Sequence, residues 1–401
     1  MLRVRGGTPK VWFRVRRVSI TAATFISLFF GHVESSSAAT ARKGSATGPP
    51  SVGMSAPRDA GALLSFNPVT VEVAGSKGFE LRYRSYSTSG KPIEVTGVAF
   101  VPDRPAPTGG WPVLSYAHGT VGLADRCAPS KNVTSIETLL ASTFNQLGVA
   151  VVQSDMEGLG TEGRHPYLVG ISEGRGVVDA VRALRGVPQQ TIAKKYVVWG
   201  HSQGGHAAIF AGQLASAWAP ELDLRGVAAG APPSQLGTVS DSLTNSPFRG
   251  YLLMVAAGMA QNYPQLDLSK VLTPRGKEVL PVVDTGCNSA VFAAVNKYPL
   301  DELIKVEGLQ DTSWSKALRE NEPGQTKVLA PVLIIHGDAD EQVPFETSAA
   351  LKKAMCAVGS NVTRKVYPGA DHAGAALLSL FELTGWLKDR LDGRIASKGC
   401  R

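Results

Sequence analysis

Cysteine is scarce. Four occur in 401 residues, Cys127, Cys287, Cys356 and Cys400, and no two form a C-x-x-C pair. H-E-x-x-H is also missing. Thiol-redox and metal chemistry therefore have little support, and no cofactor is called for. No internal repeat is visible. Charged residues make up 18% and apolar ones 43%, as in an ordinary globular protein.

Excess positive charge is lacking as well, once its position is considered. The formal charge is +8, from 41 basic and 33 acidic residues. Arg3, Arg5, Lys10, Arg14, Arg16 and Arg17 all precede a mostly apolar stretch, Val18 to Val33. Ser35-Ser36-Ser37-Ala38-Ala39 then offers small residues for cleavage. Residues 1–39 read as a secretory signal peptide, and an uncleaved anchor is the alternative. The apolar stretch is short and interrupted for a membrane span. Cleavage after Ala39 leaves 35 basic and 32 acidic residues, a net +3. That is no footprint for nucleic acid. An even number of cysteines in a chain secreted to the exterior or the periplasm suggests two disulfides, and spacing alone allows three connectivities.

What is present is a Gly200-His201-Ser202-Gln203-Gly204 turn between two strong elements. Lys195 to Trp199 reads as a buried strand. Gly205 onward reads as a helix, through about Trp218. G-x-S-x-G between a strand and a helix is the nucleophile elbow of an α/β-hydrolase. A serine hydroxyl needs a base, and the base needs an orienting carboxylate. In this fold they follow in the order Ser, acid, His.

The rest of the chain supplies that order. Pro331 to Ile335 is a continuous apolar run, read as a buried parallel strand, and His336-Gly337-Asp338-Ala339-Asp340-Glu341-Gln342-Val343-Pro344 follows. Asp340 fits H-G-x-x-D-x-x-V-P and is taken as the acid. Asp338 is the alternative, and is expected to cap the next helix. The strand at 361–367 leads into Pro368-Gly369-Ala370-Asp371-His372. Of seven histidines only His372 follows the acid, so it is taken as the base. The oxyanion hole needs backbone N–H groups. Gln203, next after the nucleophile, supplies one. Thr120, in the His118-Gly119-Thr120 loop after the strand at 111–117, supplies the other, with Gly119 as the alternative.

Strands alternating with helices predict a mostly parallel sheet covered on both faces. Residues 69–73, 79–85 and 93–102 read as antiparallel entry strands. A flexible lead-in is expected at 40–65, with the core at 66–233 and 326–401. Between 234 and 325 the strand signal vanishes and proline-separated helical stretches take over. A helical lid insertion is expected here, after strand six in the count usual for the fold (Leu224 to Gly230). An apolar lid would favour acyl chains and exclude water.

The block Asp155-Met156-Glu157-Gly158-Leu159-Gly160, with His165-Pro166-Tyr167-Leu168-Val169-Gly170 and Ser172-Glu173-Gly174-Arg175, resembles the secretory lipase family of fungi and actinobacteria. The resemblance runs from about Val69 to Leu391. It implies an α/β-hydrolase core, a large helical lid and hydrolysis of carboxylic esters, including triacylglycerols. The family triad falls on Ser202, Asp340 and His372, and the oxyanion loop on His118-Gly119-Thr120. The resemblance further implies Cys127–Cys287 and Cys356–Cys400 pairing. Met156 departs from the pattern, where relatives carry an aromatic. Asp155, His165 and Arg175 are expected in a buried hydrogen-bonded loop that shapes the site.

The expected activity is a secreted serine esterase or lipase acting through an acyl-enzyme. Its partner is a small-molecule or lipid ester, with transient contact at a lipid interface and no obligate protein partner. The same triad could serve amide, peptide or acylated-sugar substrates. A non-catalytic binding protein is a remoter reading.

Overall fold

One sheet runs through the protein in the strand order β1-β2-β3-β5-β4-β6-β7-β8-β9. The computed structural model describes residues 53–400 apart from Gln310. The expected leader at 1–39 and the lead-in up to residue 52 lie outside the described residues. Three antiparallel strands form one side of the sheet: β1 (Leu63–Pro68), β2 (Ser76–Tyr86) and β3 (Pro92–Pro102). The β3 strand also pairs antiparallel with β5 (Ala150–Ser154). From β5 onward all neighbours are parallel: β4 (Trp111–Ala117), β6 (Ile192–His201), β7 (Asp223–Gly230), β8 (Val332–Gly337) and β9 (Val362–Tyr367).

The first entry strand is not where alternation places it. Residues 69–73 form no strand, and β1 lies earlier, ending at Pro68. Val69 and Val73 still pack beside Val98, Phe100 and Ala141. Their alternation reports burial of side chains in a loop rather than a ladder. β1 is an edge strand with five of its six residues exposed, so its own pattern is weak. It takes up the last three residues of the expected lead-in.

The central strands are apolar on both faces, because helices cover both. Val113, Val198, Val227 and Ile334 point to the face packed by α2 (Gly170–Arg185), α3 (Gln203–Trp218) and α12 (Phe345–Ala357). Their neighbours Leu114, Val197, Ala228 and Leu333 point to the face packed by α1 (Ser135–Gln146) and α13 (His372–Leu391). The period of two along each strand produces both cores at once.

Between β7 and β8 no β-strand occurs among the described residues. Eight helices occupy this stretch: α4 (Leu236–Leu243), α5 (Gly250–Asn262), α6 (Leu268–Val271), α7 (Pro274–Val279), α8 (Val282–Thr285), α9 (Asn288–Val295), α10 (Val306–Leu309) and α11 (Thr312–Glu320). Prolines 274, 281 and 299 keep several of them short. They build a separate apolar cluster around Leu252, Met254, Val283 and Trp314. That cluster also takes in Leu123, Tyr167, Leu168 and Val343, which sit on loops beyond the carboxyl ends of the strands. Cys127–Cys287 and Cys356–Cys400 are the disulfides, the pairing that the resemblance implies. Among the described residues no helix is long and apolar enough to cross a membrane.

Candidate active site

Ser202 sits between β6 and α3 with φ 58° and ψ −124°, a backbone conformation that a non-glycine residue adopts only under constraint. The constraint is steric and hydrogen-bonded. Ser202 N–H donates to Gly230 O at 2.8 Å, and Ser202 O accepts from Gly205 N–H at 2.8 Å. The turn passes so close to β4 that a Cβ at Gly204 would lie 1.9 Å from the Ala117 carbonyl oxygen. Backbone cannot move aside as a side chain does. Gly204→Ala should therefore cost more than the roughly 1–3 kcal/mol of ordinary overpacking. Urea unfolding checks this, and a variant as stable as the parent would contradict the geometry.

His372 opens α13. Its N-cap is Asp371, whose carboxylate accepts from Gly374 N–H at 2.6 Å. His372 Nδ1 stands 2.7 Å from Asp340 Oδ2, and the ring is almost wholly buried. The Asp340 carboxylate is saturated. Oδ1 accepts from Gln342 and Val343 N–H, each at 2.9 Å. Oδ2 also faces His336 Nε2 at 3.1 Å. Burial alone would raise the Asp340 pKa, but the hydrogen bonds from His336 and His372 outweigh it and hold the carboxyl well below its usual range. His201, just before the serine, packs its ring against His372 with centroids 4.6 Å apart. Burial, with His372 adding to it, pushes His201 down to about 3, so it stays neutral there.

Asp338 does not cap α12, whose N-cap is Pro344 without a side-chain bond. It is exposed and accepts from Gly369 N–H at 2.6 Å, bracing the loop that leads to His372.

The loop after β4 runs beside the serine. A Cβ on Gly119 would lie 3.4 Å from His201 O and 3.9 Å from Ser202 Cβ. Thr120 Oγ1 shares a 2.7 Å hydrogen bond with Tyr167 OH, so the hydroxyl already has a partner. The loop is tied to the start of α9 three times. Asn288 Nδ2 donates to Thr120 O, Asn288 N–H donates to Val121 O at 3.1 Å, and the Cys127–Cys287 disulfide closes nearby. Gln203 lies in the first turn of α3, where a backbone N–H has no intrahelical acceptor.

Above the serine lies a narrow, mostly apolar pocket. Leu236, Val239, Leu243, Leu252, Val255 and Leu318, all from the helical segment, form much of its wall. Ser202 lines one end, with Tyr167 and Val343.

Asp155, His165 and Arg175 are buried, as the sequence suggests, but Arg175 lies on α2 rather than in a loop. Asp155 accepts from Ser130 N–H at 2.9 Å and from Thr96 Oγ1 at 2.7 Å. Arg175 lies over the Trp218 ring and donates to Tyr86 O at 3.2 Å. Sequence reasoning missed His336, Tyr167 and Glu173 as neighbours of the site. Tyr167 and Glu173 meet Thr120 and Gln203 far along the chain, where no local spacing marks them, whereas His336 heads the H-G-x-x-D spacing that selected Asp340. Among the described residues no group of three or more His, Cys, Asp or Glu side chains is placed to hold a metal ion.

The profile of the secretory lipase family matches residues 127–399. Among curated relatives, a lipase A from Moesziomyces aphidis is 26% identical over 363 residues, 83% of this chain and 77% of that protein. A secreted triacylglycerol lipase from Malassezia globosa is 26% identical over 371 residues, 86% of this chain and 80% of the other. A Mycobacterium tuberculosis relative named "Probable inactive lipase" is 26% identical over 333 residues, 79% and 74% of the two chains. The crystal structure of Candida antarctica lipase A in its closed state superposes with a TM-score of 0.74, at 24% identity and 89% coverage of both chains, which shows a shared fold.

Proposed function

Since the chain belongs to the secretory lipase family and is a carboxylic ester hydrolase, we propose that Ser202, His372 and Asp340 are its catalytic triad. The observation that carries this reading is the constrained Ser202 turn, with His372 packed on the ring of the preceding residue, His201, and its Nδ1 engaged by a buried carboxylate. Asp340 holds the proton on Nδ1, leaving Nε2 free to take the Ser202 proton. Ser202 attacks the ester carbonyl. The N–H groups of Gln203 and Thr120 receive the oxyanion. His372 protonates the departing alcohol, and water then resolves the acyl-enzyme.

The helical segment at 234–325 acts as a lid, and its apolar cavity receives the acyl chain. Such a mostly apolar wall suits methylenes better than a peptide or sugar. The ester reading is thereby favoured over the amide and acylated-sugar readings. Leu377, Leu378 and Phe381 on α13 are 65, 64 and 93% exposed and begin five residues after His372. They give a place for transient contact with a lipid interface. Both disulfides fit an oxidising, extracytoplasmic location, in keeping with a secreted enzyme.

An alkyl phosphonate ester tests the triad. Mass spectrometry should find one adduct, on Ser202. An adduct on any other serine would refute the assignment. The cavity has its own test. Val255→Trp places an indole in it, and long-chain esters should lose at least about tenfold in kcat/KM relative to acetate esters. An unchanged chain-length profile would place the acyl chain elsewhere.

A further inference from the structure

Four buried polar side chains adjoin the nucleophile turn and take no part in the proton transfers. Glu173 on α2 is wholly buried. Its Oε1 accepts from Gln203 Nε2 at 2.8 Å and from Leu168 N–H at 3.0 Å. Its Oε2 faces His206 Nδ1 at 3.0 Å. The Gln203 amide also donates to His165 Nε2 at 2.7 Å. Burial pushes His165 down to about 4, so it is neutral near pH 7 and carries one ring N–H. That N–H, on Nδ1, donates to Glu157 O at 2.7 Å, which leaves Nε2 as an acceptor. Both amide hydrogens of Gln203 are thus committed, one to a carboxylate and one to an imidazole.

The network continues outward. His206 Nε2 donates to Asn321 O at 2.8 Å, just after α11. Asn321 Oδ1 accepts from Gly170 N–H at 2.9 Å, and Asn321 Nδ2 donates to Tyr263 OH at 2.8 Å at the end of α5. Stability is a poor explanation for this arrangement. Apolar side chains of similar volume usually replace a buried ionic cluster without loss. What such a cluster provides is orientation. It holds the side chain of the first residue of α3, and with it the torsions that aim the Gln203 backbone N–H.

We infer that Glu173 is a positioning residue, which with His165 locks the Gln203 side chain and so aims the Gln203 N–H at the oxyanion. This rests on the proposed function above and names a further residue for that reaction. Misplacement by about 1 Å of a group that acts on the transition state can cost on the order of a hundredfold in rate.

The test uses Gln203→Met, which keeps the backbone N–H and removes both amide bonds, together with Glu173→Leu and Glu173→Gln. On a short-chain ester Gln203→Met should lower kcat by about tenfold or more, with KM little changed. Affinity for a trifluoromethyl ketone, which forms the tetrahedral adduct, should fall by the same factor. Affinity for the matching ground-state amide should not fall. Glu173→Leu should behave alike, and the double variant should be no worse than the weaker single. Glu173→Gln retains an acceptor for Gln203 and should recover part of the loss. Folded variants within twofold of the parent in kcat and ketone affinity would overturn the inference. Should Glu173→Leu fail to fold, Gln203→Met decides alone. Phosphonate labelling separates the two levels. An adduct away from Ser202 ends the triad reading, whereas labelling at Ser202 with unaltered Gln203→Met kinetics ends only the positioning role.

Discussion

Ser202→Ala is expected to lower kcat for ester hydrolysis by about 10⁶-fold, the scale seen when the nucleophile of a serine triad is removed. Nothing nearby can take its place. His201 is neutral with both ring nitrogens shielded from solvent, and the Thr120 hydroxyl is engaged with Tyr167. The fold should survive. Alanine keeps the Cβ and meets the same positive-φ constraint as serine, and Ser202 N–H and O retain their bonds to Gly230 and Gly205. The unfolding midpoint should therefore stay close to that of the parent. A small residual rate over water should remain, since substrate binding and the oxyanion donors are untouched. Initial rates on a soluble ester, beside a urea melt, make the check. A folded variant keeping more than about 1% of the parent rate would show that another group is the nucleophile.

The contrast between what the chain's pattern reveals and what it hides is physical. The elbow is legible because its demands are local: a β-branched strand, two glycines beside a strained serine, and an alanine-rich helix. The order of Asp340 and His372 on their loops is legible because parallel strands deliver their loops to one edge in chain sequence. Alternation points to 69–73 rather than 63–68 because it reports which side chains are buried, and a packed loop buries Val69 and Val73 as a strand would. Asp338 looked like a helix cap because it precedes α12, yet it turns to Gly369, 31 residues on. Glu173 lies within the recognised block, but its meaning depends on Gln203 and His206, thirty or more residues downstream. Pairings across that distance are fixed by how α2 packs on α3, and one sequence carries no local record of them.

Asp340→Asn is expected to lower kcat by about 10⁴-fold, while Asp338→Asn should stay within about threefold. The difference lies in the hydrogen-bond directions. Asp340 receives four donors: two backbone N–H groups on Oδ1, and His372 Nδ1 and His336 Nε2 on Oδ2. An asparagine keeps one oxygen. If that oxygen serves Gln342 and Val343 N–H, its NH₂ faces His372 and turns Nδ1 into an acceptor. The His372 proton then moves to Nε2, the atom that must accept from Ser202, and the base is lost with little change in shape. Asp338 gives one bond, to Gly369 N–H, from an exposed position, and an amide oxygen accepts that bond equally well. The pH dependence has a definite sign. The native Asp340 pKa lies below its unfolded value, so its stabilisation is present above the unfolded range near about 3.9 and is lost as pH falls toward the native value. The stability gap between parent and Asp340→Asn should accordingly narrow in acid. A large loss in Asp338→Asn with Asp340→Asn close to the parent would move the acid to Asp338. A gap that widened in acid would mean that the Asp340 carboxylate is not held ionised by its histidines.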